Sequence, residues 1–258
     1  MRIGIAGDWH GNELWAERVI AALGETDATE LWHLGDLGIG FGREARAQGY
    51  VNFLAEKLDR AGLKMWVVLG NHEDYDWIER QPASADGIRW LRDCIGIVPR
   101  GYQFQRENRH CLAVSGASSI DFKQRTLGVD WWLQENITPE QADRIIETVI
   151  AGSIDVMLCH DAPNGIPEID LVSLQDKWDR SELHYAEHSR KQLNRIFQHV
   201  MPTQLWHGHW HRRVRQTLDF GGFKTEIVGL EKEFMSSNLA ILDTRDLSVV
   251  YVPVVRER

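Results

Sequence analysis

Five short segments of this chain each place metal-binding side chains directly after an apolar run of strand length. They are GDWHGN at 7–12, GDLG at 35–38, GNHE at 70–73, CHDAP at 159–163 and HGHWH at 207–211. In open α/β sheets, ligands gather beyond the carboxyl ends of the strands, and all five segments follow such ends. One junction of this kind is a weak signal, because a single histidine after a strand is usually a core or surface residue. Five in one chain predict a fold in which these strand ends converge.

The converging segments supply a mixed set of oxygen and nitrogen donors that is large enough for two metal ions. The candidate metal ligands are Asp8, His10, Asp36, Asn71, His160, His209 and His211. Asp8 and His10 lie two residues apart after a strand and so project to the same side, and His209 and His211 repeat this spacing. The set is too rich in nitrogen for calcium. We expect two divalent ions, with manganese first and iron, zinc, nickel, cobalt or magnesium as alternatives.

Strand and helix signals alternate along the chain, which is typical of a layered α/β fold. We predict strands at Arg2–Ala6, Glu30–Leu34, Lys64–Leu69, His110–Ser115, Ile154–Cys159, Gln204–His207, Phe223–Val228, Leu239–Asp243 and Ser248–Val252. We predict helices at Glu13–Leu23, Glu44–Ala61, Pro139–Ala151 and Ser181–Val200, with short helical turns at Asp74–Glu79 and Ile88–Asp93. The stretch from 94 to 117 is expected to contain short strands.

The sequence also indicates helix N-caps, two irregular segments and a single domain. Thr138, followed by proline, and Ser181 are the expected N-caps of the last two helices. Residues 118–137 and 161–180 are expected to be irregular, and long loops in a compact domain are often functional. Because no repeat, low-complexity run or linker interrupts the chain, we expect residues 1–258 to form a single domain.

Composition excludes some classes of partner and compartment. The net charge of −9 argues against an extended, sequence-indifferent DNA-binding surface, which would be basic, so nucleic acid is a less favoured partner. It says little about one small anion, because bound metal ions would reverse the local sign of charge. Three cysteines without a CxxC spacing indicate reduced thiols. With no signal peptide and no apolar stretch near the roughly 20 residues of a membrane span, we expect a cytoplasmic protein without a membrane partner.

The pattern DxH, GD, GNHE, H and GHxH, from Gly7 to His211, resembles the calcineurin-like metallophosphoesterase superfamily. The order and spacing of the segments are similar to those of its small single-domain bacterial and phage members. The resemblance covers nearly the whole chain, and no position of the motif is missing. It implies an α/β fold of two packed mixed β-sheets flanked by α-helices.

The same resemblance implies a role for each motif residue. The first metal would be held by Asp8, His10 and His211, and the second by Asn71, His160 and His209. Asp36 would bridge both metals. His72, beside the metals rather than on them, would act as general acid or transition-state stabiliser, so that Asp36 and His72 are the catalytic candidates.

The resemblance and the donor chemistry together imply hydrolysis of phosphoric esters. Two metals can share a water and lower its pKa, so a hydroxide that bridges them would attack phosphorus directly. Imidazole is well suited to protonate the leaving alkoxide. We expect a small phosphodiester or phosphomonoester substrate, nucleotides and cyclic nucleotides included. A metal-dependent nuclease is the alternative, although the chain lacks a basic face. A non-catalytic phosphoesterase-like scaffold is the third interpretation, and it is disfavoured because all motif residues are kept.

Contacts to the substrate beyond the metals are predicted at three positions. Arg125 lies in a loop and could pair with a phosphate oxygen, because a guanidinium group suits that anion; the alternative is a surface ion pair. Asn12 follows the first motif and Arg212 follows the last ligand, so both could reach the phosphate.

Several neighbours of the ligands are expected to have supporting roles. Glu73 and Asp74 are expected to orient His72 or to cap the next helix rather than to bind metal. Asp161 is expected to fix the tautomer of a ligand histidine. His33 and His207 lie within predicted strands just ahead of the motif residues, which favours a role in the core or in support of the metal ligands.

Overall fold

The computed structural model describes residues 1–169 and 177–254 of the chain. Within these ranges there are thirteen strands and five α-helices. The strands are β1 Arg2–Ala6, β2 Glu30–Leu34, β3 Lys64–Val68, β4 Arg89–Arg92, β5 Ile95–Ile97, β6 Tyr102–Arg106, β7 Arg109–Val114, β8 Val156–Cys159, β9 Gln204–His207, β10 Val214–Asp219, β11 Lys224–Gly229, β12 Leu239–Asp243 and β13 Ser248–Tyr251. The helices are α1 Glu13–Gly24, α2 Glu44–Ala61, α3 Tyr75–Glu79, α4 Pro139–Thr148 and α5 Arg180–Val200.

The described strands form two mixed sheets. The first has the order β13-β12-β1-β2-β3-β5-β4, and the second has the order β10-β11-β9-β8-β7-β6. In the first sheet β1, β2, β3 and β5 are parallel, with antiparallel strands at both edges. In the second sheet β7, β8, β9 and β11 are parallel and the two edge strands are antiparallel. The prediction of an α/β fold with two packed mixed sheets and flanking helices is therefore confirmed.

Alternation along the strands sorts the side chains into three cores. One core lies between the sheets and receives Trp32 from β2 and Leu158 from β8. The opposite faces pack against helices: Leu31 of β2 lies in the core with α1 and α2, and Met157 of β8 lies in the core with α4 and α5. Successive side chains of a strand point to opposite faces, so each central strand contributes to two cores at once. This packing covers both sheets and leaves their strand ends free for a site.

Two element predictions are wrong. Arg89–Arg92, expected within a short helical turn at Ile88–Asp93, is β4 and pairs antiparallel with β5. A segment this short does not sustain an isolated helix, whereas a sheet edge satisfies its backbone groups. Helix α5 has Asp179 rather than Ser181 as its N-cap, because Asp179 accepts from the backbone nitrogen of Glu182 and the Glu182 side chain bonds back.

Other boundaries are close to those predicted. Thr138 is the N-cap of α4 and forms a capping box with Gln141, as expected. Strand β10 was not predicted, because its alternating half-exposed residues give a weak apolar signal. Residues 118–137 are irregular apart from two single turns of 3-10 helix. The second irregular segment, 161–180, lies partly outside the described residues.

We find no helix, within the described ranges, that combines the length and apolar character needed to cross a membrane.

Candidate metal centre

The predicted ligands lie in loops that follow the carboxyl ends of strands from both sheets. Asp8, Asp36 and Asn71 follow β1, β2 and β3, which are adjacent and parallel in the first sheet. His160 and His209 follow β8 and β9, which are adjacent and parallel in the second sheet. Because parallel strands bring their carboxyl ends to one edge, five loops meet across the ends of the two sheets.

Backbone hydrogen bonds tie these loops together. The Asp8 nitrogen donates to the Gly35 carbonyl oxygen over 2.9 Å, and the His10 nitrogen donates to the Asp36 carbonyl oxygen over 2.8 Å. In the second sheet the Gly208 nitrogen donates to the His160 carbonyl oxygen over 3.0 Å. These bonds connect the loop after β1 with the loop after β2 in the first sheet, and the loop after β8 with the loop after β9 in the second.

Left-handed backbone conformation is concentrated at the candidate ligands. Among the described residues, nine non-glycine residues have positive φ, and five of them are predicted ligands: Asp8, His10, Asp36, His209 and His211, with φ between 48° and 61°. This conformation costs about 1–2 kcal/mol for a residue with a Cβ atom. Strain of this kind persists where the surrounding structure holds it, and it clusters at functional sites. The sharp turn after each strand brings the side chain back over the strand ends.

The donor atoms fall into two sets that share Asp36. One set is Asp8, His10, Asp36 and His211, and the other is Asp36, His160 and His209; within each set all donor atoms lie within 4.8 Å of one another. His10 Nε2 lies 3.5 Å from Asp36 Oδ2, and His160 Nε2 lies 3.1 Å from Asp36 Oδ1. Asn71 Oδ1 lies 3.2 Å from His160 Nε2, which brings it to the second set. All seven predicted ligands are thus brought together.

Three features of the site fit a pair of cations. Asp8 Oδ2 and His211 Nε2 are buried and have no hydrogen-bond partner among the described residues, although buried polar atoms are normally paired. Gly70 and Gly208 leave space for the carboxylates, because a Cβ atom at either position would overlap an oxygen of Asp36 or Asp8. The carboxylate, amide and imidazole donors suit manganese, iron or zinc. The residues present therefore fit two divalent ions.

In two of the ligand histidines, the ring nitrogen that faces away from the centre has its own partner. His10 Nδ1 donates to Glu233 Oε2 over 2.8 Å, and His160 Nδ1 donates to the Leu34 carbonyl oxygen over 2.6 Å. Each bond places the proton on Nδ1 and leaves Nε2 directed at the centre. Glu233 lies outside the five motifs, so no sequence pattern predicted its role. Asp161, expected in this role, instead accepts from the indole nitrogen of Trp210 over 2.9 Å.

Asn71 is oriented by a buried chain of hydrogen bonds that the sequence did not reveal. Its Nδ2 donates to Ser119 Oγ over 3.2 Å, and Ser119 Oγ donates to Glu135 Oε2 over 2.8 Å. Trp131 Nε1 and the Tyr185 hydroxyl both donate to Glu135 Oε1. Burial raises the pKa of Glu135 to about 7, although its hydrogen bonds oppose that change. The chain fixes Asn71 with Oδ1 directed at His160.

Charges within the centre shift the pKa values of its members. Burial is the largest single effect and lowers the pKa of His10 and of His160, but the surrounding carboxylates, Asp36 foremost, together outweigh it and raise each pKa to about 10. Burial alone would raise the pKa of Asp36, but His160 and His72 hold it well below its usual range. Burial and the neighbouring His160 lower the pKa of His209. Protons and metal ions therefore compete for His10 and His160.

His72 lies beside the two donor sets, in contact with Arg125. Its Nε2 lies 3.8 Å from Asp36 Oδ2 and accepts from Arg125 Nη2 over 3.0 Å. Burial lowers the pKa of His72 to about 4, Asp36 opposes this and Arg125 reinforces it. Arg125 also pairs with Asp121 over 2.8 Å and lies over the ring of Phe41. Of the two predictions for Arg125, the ion pair is present, and the guanidinium group also lies within reach of the centre.

The other two predicted substrate contacts, Asn12 and Arg212, lie at the end of the first motif and directly after the last motif in sequence. Asn12 is the N-cap of α1, and its Oδ1 accepts from the Trp15 nitrogen over 3.0 Å. Arg212 is exposed and follows His211 directly. A contact with substrate stays a prediction for both residues.

Glu73 and Asp74 support the loop rather than the donor sets. Glu73 is fully buried and accepts from the backbone nitrogens of Gly38 and Gly70 over 3.2 and 2.6 Å. Asp74 caps α3 by accepting from the Trp77 nitrogen over 2.8 Å. Both carboxylates therefore hold backbone in place beside the ligands.

His33 and His207 are fully buried and belong to neither donor set. Burial lowers the pKa of both rings. His33 lies edge-on to Trp9, with ring centroids 4.6 Å apart. Their positions agree with the core roles predicted for them.

Comparison with known proteins gives a family match and several similar folds. The model of the calcineurin-like phosphoesterase family matches residues 1–213. A dimetal phosphatase from Danio rerio is 14% identical, with a TM-score of 0.62 over 99% of this chain and 96% of that chain. A protein from Thermus thermophilus is 11% identical, with a TM-score of 0.55 over 98% of this chain and 99% of that chain. At these identities the two structures show a shared fold. No curated protein matches the sequence.

Proposed function

Because this chain belongs to the calcineurin-like phosphoesterase family, we propose that it hydrolyses phosphodiester or phosphomonoester bonds of small substrates, nucleotides and cyclic nucleotides included. The family assignment makes the protein a metal-dependent phosphoesterase. The observation that carries the proposal is the pair of donor sets joined by Asp36 at the ends of both sheets. We propose manganese as the metal in both positions, with iron and zinc as alternatives that the carboxylate, amide and imidazole donors also suit.

The residues assign a distinct task to each part of the centre. One ion would be held by Asp8, His10 and His211. The other ion would be held by Asn71, His160 and His209. Asp36 would hold both ions. When bound, the ions would neutralise charge on the phosphate and lower the pKa of a water molecule so that it can act as nucleophile. The protein places these donors on short loops anchored by the backbone bonds described above, so little reorganisation is needed to bind the ions.

Arg125 and His72 form the part of the site that acts on the ester itself. A phosphate oxygen that enters beside His72 can accept from the guanidinium group of Arg125, whose planar donors match a phosphate. Arg125 Nη2 then no longer donates to His72 Nε2. The negative charge of the bound ester opposes the effects that lower the pKa of His72 to about 4, so Nε2 can take up a proton and pass it to the leaving oxygen. His72 is held in place by Phe41, whose ring centroid lies 4.4 Å from that of His72. We therefore propose that Arg125 binds the phosphate and that His72 protonates the leaving alkoxide.

A manganese-supplemented assay with bis-p-nitrophenyl phosphate and p-nitrophenyl phosphate tests the proposed function. Wild type should hydrolyse at least one ester, and a chelator should abolish the activity. Asp36→Asn should also lose it, because both donor sets share this carboxylate. Asp246→Asn changes an exposed carboxylate in the turn between β12 and β13 and should keep full activity. A folded wild type that hydrolyses neither ester with any of the six divalent metals would overturn the proposal, and degradation of DNA alone would favour the nuclease.

A further inference from the structure

A cavity of about 710 Å³ opens beside the candidate metal centre, on the side of His10 and His72. The rest of its wall includes Phe41, Arg43 and Arg46. Ligand pockets have volumes of roughly 300–1,000 Å³, so this space can hold a substrate larger than one phosphate group. Because His10 and His72 line both the cavity and the centre, a molecule bound at the centre can extend into the cavity.

Two arginines of the cavity wall, Arg43 and Arg46, have no charged partner among the described residues. The side chains of Arg43 and Arg46 are exposed, and no described residue forms an ion pair or side-chain hydrogen bond with either. One carboxylate, that of Glu13, lines the same wall among the described residues. Among the described side chains of this wall, two guanidinium groups and one carboxylate sum to a positive charge, in a chain whose net charge is −9. Guanidinium groups bind phosphate through paired, charge-assisted hydrogen bonds.

Two further features of the wall favour an anion. Helix α2 starts at the cavity, and its N-cap residue, Arg43, makes no side-chain capping bond, so the positive end of the helix dipole faces this region. Tyr50 of the same helix lines the cavity and is 6% exposed. Its hydroxyl has no hydrogen-bond partner within the described part of the chain. Because buried polar groups are normally paired, this unpaired hydroxyl offers a hydrogen bond to a molecule bound in the cavity.

From these features, and on the basis of the proposed function, we propose that the leaving group of the substrate carries a second phosphate. The ester phosphate lies at the metal centre, and the second phosphate lies in the cavity against Arg43 and Arg46. Phe41 lines the same wall, with its ring centroid 4.4 Å from that of His72, and offers a flat apolar surface to a sugar or base. In the reaction, water adds to the ester phosphorus, the bond from phosphorus to the leaving oxygen breaks, and that oxygen takes a proton. The alcohol departs with its second phosphate intact.

Two probes that differ in one phosphate test this proposal: adenosine 3′,5′-bisphosphate and adenosine 3′-monophosphate. Calorimetry on the manganese-loaded 258-residue chain should show tighter binding of the bisphosphate, by about tenfold or more, since a hydrogen bond to a charged group contributes about 1.5–3 kcal/mol. The double variant Arg43→Gln with Arg46→Gln should lose this preference while its affinity for the monophosphate changes less than about twofold. Equal affinities of the wild type for the two probes, or a double variant that weakens both probes alike, would overturn the proposal.

Three single variants sharpen the test. Arg60→Gln removes an exposed arginine near the other end of α2 and should leave the preference unchanged. Tyr50→Phe should weaken binding of the bisphosphate alone, and Glu13→Gln should strengthen it by removing the one carboxylate of the described wall. Release of phosphate from both probes is followed in parallel. If neither the wild type nor any variant cleaves an ester, the proposed function fails. Calorimetry still decides in that case whether Arg43 and Arg46 bind the second phosphate.

Discussion

The side chains of the candidate centre are held in position by their neighbours within the protein. Asp36 Oδ1 accepts from the backbone nitrogens of Asn71 and His72, each over 2.9 Å. Asp8 Oδ1 accepts from the backbone nitrogen of His209 over 2.9 Å. Each carboxylate thus fixes the loop that carries another functional residue. A substitution at Asp8 or Asp36 therefore removes a metal donor and also loosens a second loop.

His72 is the residue whose role can be separated from metal binding. It belongs to neither donor set, and its Nε2 faces Asp36 at the edge of the centre. We expect His72→Ala to keep both ions, as measured by metal analysis, and to lower kcat/KM for an alkyl phosphate ester by about 10²–10⁴, the usual contribution of a general acid. The loss should be smaller with a p-nitrophenyl ester, whose leaving group needs no proton. Equal losses on both esters would contradict protonation by His72.

Glu233 is a residue that should affect the metal without binding it. Its carboxylate accepts from His10 Nδ1 and orients the ring, and partners of this kind typically change metal affinity by about 10–100-fold. Glu233→Gln should therefore weaken manganese binding by a factor in that range, as measured by titration of the metal-free chain. Glu231→Gln, two residues earlier and without a contact to His10, serves as matched control. Unchanged affinity in Glu233→Gln would show that His10 is oriented by other contacts.

The bounds of strands and helices can be predicted from the sequence better than the tertiary contacts between them. Apolar runs such as Arg2–Ala6 and Gln204–His207 gave strand bounds that the structure reproduces, and these strands end at the motif residues. Ser119 and Glu135 could not be found this way, because they lie in irregular segments where periodicity carries no signal. Their meeting depends on how the loop after β7 folds back on Asn71, which is a tertiary contact.

The buried carboxyl of Glu135 should make stability depend on pH. Its pKa is about 7 in the folded chain, above its usual value of 4.5. The native state therefore keeps a proton that the unfolded chain releases, so this group's stabilising contribution is complete below about pH 4.5 and is lost as pH rises through 7. Glu135→Gln keeps the shape of the protonated side chain but cannot titrate. The free energy of unfolding of this variant should therefore fall with rising pH by up to about 3 kcal/mol less than that of the wild type.

Urea unfolding of the metal-free wild type and of Glu135→Gln, from pH 5 to pH 8, measures how the free energy of unfolding of each depends on pH. The stability of the variant should fall less over this interval. Glu147→Gln changes an exposed carboxyl in α4 and should follow the wild type. Parallel pH dependence of wild type and Glu135→Gln would mean that Glu135 titrates near its usual value.

At the scale of the whole molecule, the candidate centre joins the two sheets. The loops after β1, β2 and β3 of the first sheet supply Asp8, His10, Asp36 and Asn71, and those after β8 and β9 of the second supply the remaining donors. Sequence motifs predicted that these donors converge, but strand order and the pairing of sheets arise from packing over the whole chain. Because Asp36 belongs to both donor sets, ions bound there would connect the sheets.

Manganese should therefore raise the midpoint of thermal unfolding. An ion that binds only the native state at about one hundred times its Kd adds about 2.7 kcal/mol to the free energy of unfolding, which corresponds to roughly 5–10 °C for a chain of this size. Asp36→Asn should lose most of the shift, and Asp246→Asn should keep it, because only the first removes a shared donor. Scanning calorimetry with manganese and with chelator measures the shift. An equal rise in Asp36→Asn would mean that manganese stabilises the chain at some other place.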